Sequence, residues 1–229
     1  MNDINREFDH GAAVDWHSKE AIADQLYDHR TYAAAGQNQL SFFLVPQGDG
    51  QSIFAGAGTP KTYEDTNMES AGQMNRGEAF LVQAIALRFT SGVSIVQDDI
   101  TAAAPVAVNS PANDEQTFWN NGYLEFTVVN KVQTRLPISN FPPPTRLSME
   151  AAFSSFYTQA AAGDGTIQTH AAHVVPVGQL FQPQAPGVTL EYGLKFKLTL
   201  NWSAAVAMPS NQDGRVQAML IGRRLRIGQ

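Results

Sequence analysis

Residues 192–202, Tyr192-Gly-Leu-Lys-Phe-Lys-Leu-Thr-Leu-Asn-Trp202, decide the fold class. Leu194, Phe196, Leu198, Leu200 and Trp202 alternate with Lys195, Lys197, Thr199 and Asn201. Residues two apart share a face of an extended chain, so this period predicts a half-buried antiparallel strand with one apolar and one wet face. A turn-rich connection follows, Ala204 to Gly214, carrying Pro209, Asn211 and Asp213-Gly214. A second strand is expected from Val216 through Met219 and Ile221 to Ile227. The two read as a C-terminal pair whose last strand closes the domain.

Upstream, the same period recurs. Leu40 to Val45, Phe80 to Thr90, Tyr123 to Val129 and Lys131 to Ile138 read as strands, and Phe80–Thr90 is apolar on both faces. His173–Val177, Gly178–Phe181 and Val188–Leu190 are shorter candidates punctuated by Pro176, Pro183 and Pro186. Three helices are expected. Ser18 caps one over residues 19–28, with Ile22, Leu26 and Tyr27 on one face. Ser110-Pro111 opens another that ends near Trp119. Met149, Ala152, Phe153, Phe156 and Tyr157 suggest a third over Leu147–Ala162. Two polar excursions, 46–77 and 91–121, are longer than ordinary connections and are expected to make contacts. Residues 1–30 form an N-terminal arm with its short helix, and 31–229 form one domain. About eight main strands with long insertions predict an all-β protein, a jelly-roll β-sandwich with two or three short helices.

Composition narrows the function classes. Of 229 residues 43% are apolar and only 16% charged, and the net charge is −6. That balance is wrong for binding nucleic acid through its phosphates. With no cysteine there is neither a disulfide nor a thiolate. No apolar run approaches the roughly 18–20 residues of a membrane span, and the polar N-terminus is not a secretory signal.

Chemical motifs are sparse. His170 and His173 are three apart, but a zinc site needs about four ligands and no cysteine is available. Asp98, Asp99 and Asp213 suit turns better than calcium, since no EF-hand spacing surrounds them. Gly48, Gly50, Gly56 and Gly58 lack the Lys-Ser/Thr and helix of a phosphate loop. No nucleophile elbow occurs. These absences give the expectation of a non-enzyme without metal or cofactor. Arg223, Arg224 and Arg226 form the one basic cluster, and the acidic N-terminal segment, including Asp24 and Asp28, offers it an internal or neighbouring partner. These five residues are the candidate subunit interface. Trp202 fits a core face, while Trp16 and Trp119 could line a sugar site.

Several stretches carry a family likeness when taken in order. They are Thr31-Tyr-Ala-Ala-Ala-Gly36 before Leu40-Ser-Phe-Phe43, Asp65-Thr-Asn-Met68 with Ala71-Gly72, and Glu78-Ala-Phe-Leu-Val82. Leu136-Pro137, Phe141-Pro-Pro143, Phe196-Lys-Leu-Thr-Leu-Asn-Trp202 and Leu220-Ile-Gly-Arg-Arg-Leu-Arg226 complete the set. Together they resemble the major capsid proteins of tailless icosahedral bacteriophages. The resemblance implies a self-assembling jelly-roll subunit of a virion shell, made in the host cytoplasm. Its partners would be copies of itself, a minor capsid or vertex protein and an internal lipid membrane, with no sequence-specific nucleic acid. Many relatives carry two barrels, but 229 residues suit a single one. The alternative is a carbohydrate- or receptor-binding β-sandwich such as a spike or vertex protein. A cupin-like enzyme would need a cluster of His and Glu ligands that the strands do not offer.

Overall fold

The structure is a computed structural model that describes residues 21–92, 111–143, 145–156, 165–176, 180–183 and 187–226. Its strands are β1 (Ala21–Tyr32), β2 (Gln39–Phe42), β3 (Glu78–Thr90), β4 (Tyr123–Val128), β5 (Lys131–Pro137), β6 (Thr145–Phe156), β7 (Gly165–Pro176), β8 (Val188–Glu191), β9 (Phe196–Asn201) and β10 (Gly214–Arg226). One α-helix, α1, spans Pro111–Asn120, and a 3-10 turn spans Ile138–Asn140. The chain is therefore all-β in character. It forms two four-stranded antiparallel sheets, ordered β1-β10-β3-β8 and β2-β9-β4-β5, which do not close on each other. β6 and β7 form a separate two-stranded ribbon.

The deciding segment becomes β9. Phe196, Leu198 and Leu200 are buried and Lys197 is exposed, as its alternation requires, but Thr199, expected on the wet face, is buried as well. One correction concerns its partner. β9 and β10 are not neighbours: β9 lies between β2 and β4, and β10 lies between β1 and β3 in the other sheet. The connection from Trp202 to Asp213 thus crosses between sheets instead of turning a hairpin. β10 is paired along both edges, from Tyr32↔Gly214 to Ala21↔Leu225 on one side and from Thr90↔Arg215 to Glu78↔Arg226 on the other. The strand expected to close the domain is an interior strand of its sheet.

Two expected helices are strands. Residues 21–28 lie in β1, where Leu26, Asp28 and Tyr32 are buried at period two. The helical spacing of Ile22, Leu26 and Tyr27 is real, but pairing along all of β10 outweighs it. Local propensity is a weak prior against tertiary contacts of that extent. Thr145–Phe156 likewise pairs with β7 throughout, from Thr145↔Pro176 to Phe156↔Gly165. Leu147, Met149, Ala151 and Phe153 fit period two while Met149, Ala152, Phe153 and Phe156 fit the helical spacing, an ambiguity that apolar pattern alone does not resolve. Residues 157–162 of the expected helix lie outside the described residues, as do 177–179 of the short candidates. α1 forms where it was expected, and so do β3, β4, β5 and β8. β3 is buried on both faces, apart from Gln83, Arg88 and its ends.

One core is shared by residues of both sheets. Leu26, Phe80, Ile85, Leu87, Phe89, Val216 and Leu220 come from one, and Phe42, Leu124, Phe126, Phe196, Leu198 and Leu200 from the other. Each such side chain contributes about 1.5–3 kcal/mol on burial. Tyr32, Phe89, Phe118 and Trp202 form an aromatic group, with Phe89 stacked on Phe118 at 4.5 Å and Tyr32 edge-on to Trp202 at 5.1 Å. Trp202 is a core residue, as its strand position predicted. Trp119 is half-buried against the same core, and Trp16 lies outside the described residues.

Loops cover stretches of β3 and β1 in the first sheet. The Ile85 N–H donates to the Phe181 carbonyl at 3.0 Å and the Leu87 N–H to the Phe141 carbonyl at 3.1 Å, covering β3 beyond the end of β8. On the opposite edge, the His29 N–H donates to the Asp65 carbonyl at 2.8 Å, and Asn67 bonds both the Tyr27 N–H and the Gln25 carbonyl. An open edge invites pairing with another chain, and these contacts occupy it.

Candidate functional site

The 46–77 excursion builds a site against β1. β1 turns Asp28 toward the interior between Leu26 and Tyr32, so a carboxyl stands where a core residue would be expected. A buried charge needs partners, and the surroundings supply them. Asp28 Oδ2 accepts the Phe43 N–H at 2.7 Å and lies 3.7 Å from Arg30 Nε. Asp28 Oδ1 contacts Lys61 Nζ, which also donates to the His29 carbonyl at 3.3 Å. The bond to Phe43 explains why β2 stops at Phe42, short of the expected Val45. Phe43 takes a left-handed φ of 68°, fixed by Asp28 at its N–H and by the Gly72 N–H at its carbonyl.

Burial pushes the Asp28 carboxyl up and the Lys61 amine down, each opposed by the charge of the other. Asp65 anchors the loop that carries Lys61. Its Oδ1 accepts the Ile53 N–H at 2.8 Å and its Oδ2 the Thr62 N–H at 2.9 Å. Burial raises this carboxyl, but the donors from Thr62, Ile53 and Ser52 together hold it below its usual value. Burial lowers His29, against the pull of the Asp65 carbonyl and carboxylate.

Outside this pair runs an aromatic strip. Tyr63 is 66% exposed and meets Tyr27 edge-on at 5.9 Å. Tyr27 meets His29 at 5.9 Å, His29 meets Phe54 at 5.2 Å, and Arg215 Cζ stands 5.1 Å over the Phe54 ring. Tyr27 donates its hydroxyl to the Tyr63 carbonyl, and burial with Tyr63 close by pushes it up to about 12.

The sequence-derived candidates separate. Asp28 does not join the arginine cluster; it is enclosed with Lys61 and Arg30, because inward period-two positions of β1 lead into the core. Arg224 and Asp24 do meet, within one chain: Arg224 Nε lies 2.6 Å from Asp24 Oδ2, too obliquely for a hydrogen bond, so charge alone holds the contact. Arg224 Nη1 also lies 3.5 Å from Glu78 Oε2. Arg226 Nε is 3.6 Å from Glu78 Oε1, and the Arg226 side chain is 74% exposed. Arg223 stands in register between Ala23 and Leu81. His170 and His173 sit opposite Ala151 and Ser148 on the β6–β7 ribbon. Among the described residues no group of three or more His, Cys, Asp or Glu could hold a metal ion, and no helix is long and apolar enough to cross a membrane.

Sequence reasoning missed the Asp28–Lys61 pair. Its signal was period two through Leu26, Asp28, Arg30 and Tyr32, masked by the helical spacing of the same segment. Nothing in the sequence around Lys61 pointed to burial. Comparison with protein-family models, curated proteins and solved structures finds no match to the chain.

Proposed function

We propose that the chain is a self-assembling structural subunit of a virion shell, built on a single jelly roll and without enzymatic activity. The observation that carries this reading is the nesting of the strand pairs. With the β6–β7 ribbon set aside, the first strand pairs with the last (β1·β10), the second with the seventh (β2·β9), the third with the sixth (β3·β8) and the fourth with the fifth (β4·β5). A long hairpin wound into two sheets has this order, and jelly rolls of this kind recur in viral capsids and lectins. The step from fold to role is one of analogy, supported by the family likeness of the strand motifs and by the low charge density, since charge is depleted in interface cores. Electron microscopy and sedimentation of the purified protein test it. Closed regular particles, or stable trimers or pentamers that build them, are expected; a persistent monomer at high concentration would count against it.

A receptor- or carbohydrate-binding sandwich is the second reading. The strip of Tyr63, Tyr27, His29, Phe54 and Arg215, exposed at Tyr63, Phe54 and Arg215, favours it, because aromatic faces beside a cation suit sugar rings. Binding of the monomer to a glycan array, abolished by Tyr63→Ala with Phe54→Ala, would establish it over the shell.

A further inference from the structure

We propose that Lys61 and Asp28 condense into an intramolecular isopeptide bond, made by the folded chain itself, that staples the 46–77 loop to β1. This inference does not depend on the function proposed above. The two side chains are 1% and 0% exposed, and Nζ touches Oδ1. The two carboxyl oxygens have different surroundings. Oδ1 faces the amine, whereas Oδ2 accepts the Phe43 N–H at 2.7 Å and has the Arg30 guanidinium 3.7 Å away as a positive charge, the Arg30 Nε–H itself being donated to the Ser41 carbonyl. Acyl transfer uses this division: a nucleophile on one side, and a donor with a positive charge beside the oxygen on which negative charge develops. Both groups are fixed by the fold, so their encounter is already made; well-oriented neighbours reach effective concentrations of about 10⁵–10⁸ M.

The step balances without a co-reactant. The neutral Lys61 amine attacks Cγ of the protonated Asp28 carboxyl, forming the Nζ–Cγ bond and moving the C=O electron pair onto Oδ2. A proton passes from Nζ to Oδ1, the Cγ–Oδ1 bond breaks, and Oδ1 leaves as water with the carboxyl proton and one amine proton. Nothing is oxidised or reduced. Burial favours the two neutral forms that the attack requires, raising the carboxyl and lowering the amine. It also keeps out bulk water that would reverse the step.

Intact-mass spectrometry of the folded, full-length chain is the test. The expected mass is lower than the sequence mass by one water. A protease digest is expected to contain a branched peptide joining the segment with Asp28 to the segment with Lys61. Lys61→Met is expected to return the chain to its full sequence mass. A wild-type chain at full sequence mass, giving linear peptides that contain Asp28 and Lys61 unmodified, overturns the proposal and leaves an ion pair. A Lys61→Met chain still short by one water overturns it too, by placing the linkage elsewhere.

Discussion

Lys61 shows what a single residue contributes here. Lys61→Met would remove the proposed link and leave a free Asp28 carboxyl enclosed beside Arg30 with nothing on its Oδ1. Leaving a buried carboxylate without its partner costs about 3–5 kcal/mol, and the lost staple adds to it, so the urea midpoint should fall steeply, far more than for Lys197→Met on the exposed face of β9. Gly36 is a second such residue. Its φ is +80°, and an added Cβ would lie 2.5 Å from the Val206 backbone carbonyl carbon. Gly36→Ala should cost at least about 1–3 kcal/mol, read as a lower melting temperature. His29 gives a pH dependence. Its folded pKa lies below 6.5, so the unfolded chain binds the proton more readily. The associated stability is complete above about pH 6.5 and declines as the pH falls through that value toward the lower folded pKa. His29→Gln should flatten that part of the stability–pH curve in chemical denaturation. Asp65 acts in the same direction at lower pH, below its ordinary 3.8. Little at this scale was legible beforehand. Arg224 with Asp24 was, because opposite charges at the two ends of the chain invite pairing. Lys61 was not, because nothing local distinguishes a buried lysine in a polar loop from a solvated one.

At the scale of elements, alternation was a reliable guide wherever only one period fitted. β9, with lysines between its apolar residues, allowed one reading. β3, apolar on both faces, was recognisable as an interior strand. Residues 21–28 and 147–156 satisfied two periods at once, and the partner strand that decides between them is distant in sequence. Which strands pair is invisible for the same reason, so the sequence reads as a β9–β10 pair although the two belong to different sheets. The ribbon of β6 and β7 invites a deletion. The chain leaves the core at Phe141 and returns at Phe181, and those two rings are only 4.6 Å apart. Strand pairing ties β6 to β7 alone. Replacing residues 144–179 with a short Gly/Ser linker should therefore preserve a cooperative melt, measured by circular dichroism, because the ends to be joined are already neighbours. Loss of the cooperative transition would mean that the ribbon supports the sandwich. Removing residues 215–226 should have the opposite effect: β10 holds β1 to β3, and without it no folded sheet is expected.

For the whole molecule, the arginines allow folding to be tested apart from the proposed assembly. Arg224 is held by Asp24 and Glu78 of its own chain, so Arg224→Glu should lower the stability of the isolated chain. Arg226 is largely exposed, and Arg226→Glu should leave the subunit's melting unchanged while shifting sedimentation toward smaller species, if copies meet there. Normal particles from Arg226→Glu would remove this residue from the contact. The nested strand order also has a consequence for the chain as it is being made. β4 and β5 are adjacent in sequence and can pair as soon as they emerge from the ribosome, whereas β1 has only its bonds to residues 65–67 along one edge and no strand partner until Gly214–Arg226 has been synthesised. At about 5–20 residues per second, that wait is roughly ten to forty seconds. Throughout it, Leu26 and Tyr32 have no sheet to enter, and they fall to whatever holds nascent chains. The sandwich therefore completes its surface only after β10 has been made, long after β4 and β5 have paired.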